Sequence, residues 1–152
     1  RLAIASPDVG GVKTARAYAT RLDAGLVVVD KRRPGHNIAE VMHIIGDVQG
    51  KNVIIVDDLI DTGTTFVKCA EALKNNGAER IIGVCTHPVF SGSAIEKINK
   101  SDAVSKVFVT DTIPAFWNCP KIEIISIAEI LAEAIVRTHD NASISSLFEI
   151  VR

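Results

Sequence analysis

The chain has 152 residues, 47% hydrophobic and 23% charged, which fits one ordinary domain with a sizeable core and excludes a disordered segment. Seventeen basic residues against eighteen acidic ones leave a net charge of -1, so no global field recruits nucleic acid or an anionic membrane. No apolar run approaches the ~20 residues of a membrane span, and no heptads are sustained as a coiled coil requires.

Taken in chain order, Leu2–Ser6 reads as a strand and residues 7–11 as a loop. Residues 12–22 read as a helix with Val12, Ala15, Tyr18 and Ala19 on one face. Residues 26–29 are a second strand, followed by a basic loop at 31–37 containing Pro34 and Gly35. Residues 39–45 fit either helix or strand and are assigned as a strand reaching a turn at 46–50. Residues 53–56 form a continuous apolar strand of the kind buried on both faces of a parallel sheet. A loop at 57–63 and a helix at 64–76 follow, the helix closing at Gly77 as a C-cap. Residues 80–86 are a strand and 91–99 a helix with Ser91 as its cap. Residues 106–109 and Ile122–Ile125 are further strands, and 127–137 an amphipathic helix. This alternation predicts a single α/β domain over residues 1–152, a three-layer sandwich with a mostly parallel central sheet. In such sheets ligands bind at the carboxyl ends of the strands.

Cys69, Cys85 and Cys119 make an odd count without a C-x-x-C pair. They read as reduced thiols of a cytoplasmic protein, with neither a disulfide frame nor a zinc site. The chain opens on Arg1, without an initiator Met, directly into a strand. The expectation is that a segment upstream has been removed.

The most informative run is Val53-Ile54-Ile55-Val56-Asp57-Asp58-Leu59-Ile60-Asp61-Thr62-Gly63-Thr64-Thr65. A buried strand delivers two adjacent carboxylates, and a small hydroxylated loop then opens a helix. Thr62, Thr64 and Thr65 bring hydroxyls and amides to a helix N-terminus, where a phosphate is stabilised. Gly63 lets the backbone come close to that anion. Asp57 and Asp58 repel a phosphate, so they suit sugar hydroxyls or a divalent cation. Capping accounts for one such Asp or Thr. It does not account for three aspartates within five residues.

These thirteen residues resemble the phosphoribosyl-pyrophosphate (PRPP) binding motif of type I phosphoribosyltransferase folds. Further segments narrow the resemblance. They are Ser6-Pro7-Asp8-Val9-Gly10-Gly11, Asp30-Lys31-Arg32-Arg33-Pro34, Thr86-His87-Pro88-Val89-Phe90-Ser91-Gly92, Asp111-Thr112-Ile113-Pro114, Leu131-Ala132-Glu133-Ala134-Ile135 and Ser143-Ile144-Ser145-Ser146-Leu147-Phe148. Together they are similar to the C-terminal half of the ribose-phosphate pyrophosphokinase (PRPP synthetase) family, from Leu2 almost to Phe148.

The resemblance implies transfer of pyrophosphate from ATP to ribose 5-phosphate, giving PRPP and AMP with Mg2+. It implies a pyrophosphate loop at Asp8, Val9, Gly10 and Gly11, with Asp8 holding the metal. It implies a catalytic loop carrying Lys31 and Arg33, expected to be disordered without ligand, whose cations meet the charge on the transferred group. It implies a ribose 5-phosphate site at Asp57, Asp58, Asp61, Thr62, Gly63, Thr64 and Thr65. Ser143 and Ser145 resemble part of a regulatory phosphate site between subunits, and a polar turn explains them equally well. His87 reads first as a packing or capping residue and Trp117 as a packing residue. The family's full chain is a homo-oligomeric enzyme of two lobes, and the missing N-terminal lobe would carry most of the nucleotide clamp. The isolated lobe is therefore expected to be inactive. Two other readings remain open: a PRPP-using phosphoribosyltransferase, and a non-catalytic regulatory homologue that associates with PRPP synthetase subunits.

Overall fold

Short β-branched runs alternate with helix-period segments, and the chain folds accordingly in the computed structural model, which describes residues 1–32 and 41–148. The elements are β1 (Leu2–Ser6), α1 (Val12–Arg21), β2 (Gly25–Arg32), β3 (Val41–Ile45), β4 (Asn52–Ile60) and α2 (Thr64–Asn75). There follow β5 (Arg80–Pro88), α3 (Ala94–Lys100), β6 (Lys106–Thr110), β7 (Ile122–Ile125), α4 (Ala128–His139) and a 3-10 turn at Ser145–Phe148. The seven strands form one sheet in the order β3-β2-β1-β4-β5-β6-β7. Every neighbouring pair is parallel except β2–β3, which is antiparallel.

Side chains of the central strands alternate between two faces. Ala3, Ala5, Val53 and Ile55 pack with Phe66, Cys69, Ala70 and Leu73 of α2 and Ile98 of α3. Ile4 and Val56 turn to the other face and meet Ala15 and Ala19 of α1. The two alanines let α1 lie close to the sheet. On the opposite face larger residues fill the space, and burying a side chain such as Leu73 contributes ~1.5–3 kcal/mol. This is the expected three-layer α/β arrangement; the C-cap of α2 is Asn76, and Gly77, expected at that place, follows it with φ +90.

Three assignments are corrected. The strand expected at 53–56 runs on to Ile60, because its backbone ladder with β5 continues past the buried core as far as Ile60↔Pro88. Asp57 and Asp58 therefore belong to a strand and not to a loop. Lys31 likewise belongs to β2, where it pairs with Met42 across the antiparallel ladder, and not to the basic loop. Ser91 does not cap a helix: α3 starts only at Ala94, with no side-chain cap. Of the loop at 31–37 expected to be disordered, residues 33–37 lie outside the described residues.

All three cysteines are buried thiols. Among the described residues no helix is long and apolar enough to cross a membrane.

Candidate active site

The sheet brings the carboxyl ends of β1, β2, β4 and β5 to one rim. Two facts hold the end of β4 there. Its ladder to β5 pairs Asp57 with Cys85 and Leu59 with His87. The next two carbonyls then bond to the chain beyond β5: Phe90 N–H donates to Ile60 O and Ser91 N–H to Asp61 O, both at 3.0 Å. The Ser91 hydroxyl also donates to the Asp61 carboxylate. Asp61 is thus fixed at the point where β4 gives way to the loop.

Gly63 makes the turn into α2 with φ +71. A Cβ there would adopt a backbone region that L-residues rarely occupy and would lie 3.3 Å from Ala94 Cα. The positive φ favours glycine, and the close approach of Ala94 adds to that preference. No side chain caps α2, so its first-turn N–H groups remain available to an anion at the positive end of the helix dipole.

Asp8, Asp57 and Asp58 stand between two adjoining cavities. The first, about 260 Å3, is also lined by residues 61–63 and Thr65. The second, about 290 Å3, is bounded by Gly10, Gly11 and Thr14. One cavity therefore ends on the hydroxylated loop and the other on the Gly-Gly turn, with carboxylates between. Asp8 is held by its own turn: Gly11 N–H donates to Asp8 Oδ1 at 2.9 Å, and the Ser6 hydroxyl donates to Asp8 O at 2.7 Å. A Cβ on Gly11 would meet Ser6 Oγ at 2.7 Å. The tight turn alone therefore accounts for Gly11.

Burial first, and neighbouring carboxylates second, set the electrostatics of the rim. Burial raises the Asp57 carboxyl from 3.8 to about 6. The Asp58 N–H, donating to Asp57 Oδ1 at 3.0 Å, opposes that rise, and the like charges of Asp58 and Asp8 add to it. Burial likewise pushes the Cys69 and Cys85 thiols up to about 12. Both therefore stay protonated and supply no nucleophile at neutral pH.

Of the residues singled out from sequence, Asp8, Gly10, Gly11, Asp57, Asp58, Asp61, Thr62, Gly63 and Thr65 line the paired cavities. Val9 lies in the same turn and is exposed, and Thr64 forms the first residue of α2. Lys31 is exposed, three residues beyond Val28, which pairs in register with Ile45 of β3 and with Ser6 of β1. It lies toward the same rim, outside the two cavity linings. Arg33 lies outside the described residues. His87 Nδ1 is 3.0 Å from Thr112 Oγ1, which ties the β5 and β6 ends together. Trp117 packs edge-on against Phe90 at 5.2 Å, as expected. Ser143 and Ser145 form an exposed turn, in which Ser145 N–H donates to Ser143 Oγ at 3.2 Å and Arg137 donates to Ser143 O at 3.3 Å.

Sequence reasoning missed the support behind the loop. Ser91, Ala94 and Lys97 touch Asp61, Gly63, and Thr62 with Thr64 respectively. No local signal marked them, because their partners lie about thirty residues earlier in the chain.

Known proteins resemble this chain in sequence and in fold. The chain is 53% identical over 149 residues to a ribose-phosphate pyrophosphokinase of Chlorobaculum tepidum, covering 97% of this chain and 46% of that protein. It is 54% identical over 145 residues to the Wolinella succinogenes protein of that name, covering 95% and 47%. The chain thus spans about half the length of the curated relatives it matches. A crystal structure of phosphoribosylpyrophosphate synthetase from Mycobacterium smegmatis superposes with a TM-score of 0.85 at 32% identity, covering 93% of this chain and 46% of that one. The model of the phosphoribosyl synthetase-associated domain matches residues 35–149, and the chain belongs to that family.

Proposed function

We propose that this chain is the C-terminal lobe of a ribose-phosphate pyrophosphokinase, which transfers pyrophosphate from ATP to ribose 5-phosphate to give PRPP and AMP. The observation that carries the reading is the pair of cavities sharing Asp8, Asp57 and Asp58, one ending on the hydroxylated loop and the other on the Gly-Gly turn. A phosphorylated sugar needs an anion-binding end and hydroxyl acceptors beside it. The first cavity supplies both: amides and hydroxyls of residues 62–65 for the phosphate, and the carboxylates of Asp57 and Asp58 for the ribose hydroxyls. The second, against residues 8–11, receives the pyrophosphoryl group. Lys31 and Arg33 meet the charge on that group, and Ser143 and Ser145 belong to a regulatory phosphate site.

The donor chemistry suits Mg2+. Asp8, Asp57 and Asp58 line both cavities with hard carboxylate oxygens, and the like charges of Asp58 and Asp8, which add to the mainly burial-driven rise of Asp57, are ones a cation would relieve. Among the described residues no group of three or more His, Cys, Asp or Glu side chains is arranged as a metal cage. Mg2+ is commonly held by one or two carboxylates together with water and substrate phosphates. Asp8 is the residue that would hold it. When bound, such an ion would supply charge neutralisation at the phosphate oxygens and Lewis-acid activation of the β-phosphorus. The chain's own contribution is positioning: the loop fixes the sugar phosphate so that the anomeric oxygen faces the β-phosphorus, and AMP leaves.

The nucleotide clamp belongs to a second lobe and to a neighbouring subunit of a homo-oligomer, in the cytoplasm. The test is an assay of AMP and PRPP formation from ATP and ribose 5-phosphate. The full-length enzyme containing this chain turns over and the isolated chain does not. Lys31→Ala in the full-length enzyme lowers kcat at least about a hundredfold, the scale of a lost transition-state donor. An unchanged kcat contradicts the role given to Lys31, and robust synthesis by the isolated chain contradicts the division of the site.

A further inference from the structure

We infer that Lys97 is a positioning residue of the phosphate loop, acting through Thr64, whose hydroxyl it turns into a dedicated hydrogen-bond donor toward a bound phosphate. The inference rests on reading residues 61–65 as the ribose 5-phosphate loop. Lys97 is half-buried on α3, and its Nζ donates to Thr64 Oγ1 at 2.8 Å and to Thr62 O at 3.1 Å. The Thr62 hydroxyl reaches the same Thr64 Oγ1 at 3.4 Å. A hydroxyl offers one proton and two acceptor sites. Lys97 takes one acceptor site and the longer Thr62 contact only adjoins the other, so the Thr64 proton can be given outward to a bound anion. A charged donor on the oxygen also polarises the O–H bond and strengthens what it gives.

The same ammonium orients the backbone. The C=O of one residue and the N–H of the next point opposite ways across a planar trans peptide. Ile60 O, Asp61 O and Thr62 O are all bonded to the segment from β5 to α3, through Phe90 N, Ser91 N and Lys97 Nζ. The N–H groups of Asp61, Thr62 and Gly63 therefore face away from that segment, on the side of the cavity that these residues line. Three successive donors on one side make an anion-binding concavity. Lys97 holds the last of the three carbonyls, and it brings positive charge beside a site otherwise crowded with carboxylates.

The test is steady-state kinetics on the full-length enzyme containing this chain, with thermal unfolding of each variant. Lys97→Met raises the KM for ribose 5-phosphate about tenfold, the value of one charge-assisted hydrogen bond, while the KM for ATP and the unfolding midpoint stay close to wild type. Lys97→Arg keeps the charge and the donor and returns the KM to within about threefold. Thr64→Val raises the same KM, and adding Lys97→Met to it costs less than the two single effects combined, because the pair works as a unit. The inference is overturned if Lys97→Met leaves the ribose 5-phosphate KM unchanged while Thr65→Val raises it. It is equally overturned if Lys97→Arg is as impaired as Lys97→Met, or if the effects of Lys97→Met and Thr64→Val are fully additive. A Thr65→Val variant with unchanged KM overturns the reading of the loop itself, and the role of Lys97 with it.

Discussion

Helices α2 and α4 are each twelve residues long and each amphipathic, yet their surroundings differ completely. α2 buries Phe66, Cys69, Ala70 and Leu73 against the sheet. α4 buries nothing, and Ile135 on it is 69% exposed. The helix that starts at the candidate site is thus the one anchored in the core. Its N-terminus is held from below by packing and from the side by Ser91, Ala94 and Lys97. An anion-binding loop gains from such support, since donors fixed before the ligand arrives need no reorganisation when it binds. α4 lies outside that constraint, and its apolar pattern reports which side of the helix is greasy, without reporting how much this chain covers it.

The sharpest way to probe that contrast is to replace one apolar residue in each helix, buried Leu73 on α2 and exposed Ile135 on α4. Leu73→Ala removes a fully buried side chain and is expected to lower unfolding free energy by about 2–5 kcal/mol, measured by urea titration. Ile135→Ser on α4 is expected to change it by no more than about 0.5 kcal/mol in the isolated chain. Equal effects at the two positions would abolish the distinction.

Between these extremes lies Asp57, which the rim holds at a cost. Its folded-state carboxyl titrates at about 6, against 3.8 for the ordinary group. Between those values the native chain keeps a proton that the unfolded chain has released. Stability therefore falls as pH rises from about 4 to about 6 and stays lower above that window. Asp57→Asn is expected to remove this contribution and to raise the thermal midpoint at pH 8, while weakening ribose 5-phosphate binding. A midpoint at pH 8 that drops instead would mean that the Asp57 charge is compensated in the fold.

The sequence made much of this legible, for physical reasons that also explain its failures. The buried runs Leu2–Ser6 and 53–56 announced the central strands, because a strand covered on both faces is apolar throughout. The same criterion stopped too early at Asp57 and at Lys31. A backbone ladder does not depend on side-chain polarity, and both strands continue to the rim after leaving the core. The acid pair and the hydroxylated loop were readable because their composition has no other economical explanation. The brace behind the loop was not, since Ser91 and Lys97 are 30 and 33 residues from the partners Asp61 and Thr64 that give them meaning. Nor does an amphipathic pattern distinguish α2 from α4, because both have an apolar side and only tertiary contacts decide which is covered.

The central claim is that residues 61–65 form a preorganised phosphate loop within this lobe. Its most direct test is titration of the isolated chain with ribose 5-phosphate, followed by backbone amide NMR. The account predicts saturable shifts centred on Thr62, Gly63, Thr64 and Thr65, with the amides of α4 unmoved and with ribose itself producing far weaker changes. Saturation with shifts elsewhere and none at these four amides, or equal responses to ribose and ribose 5-phosphate, would contradict it.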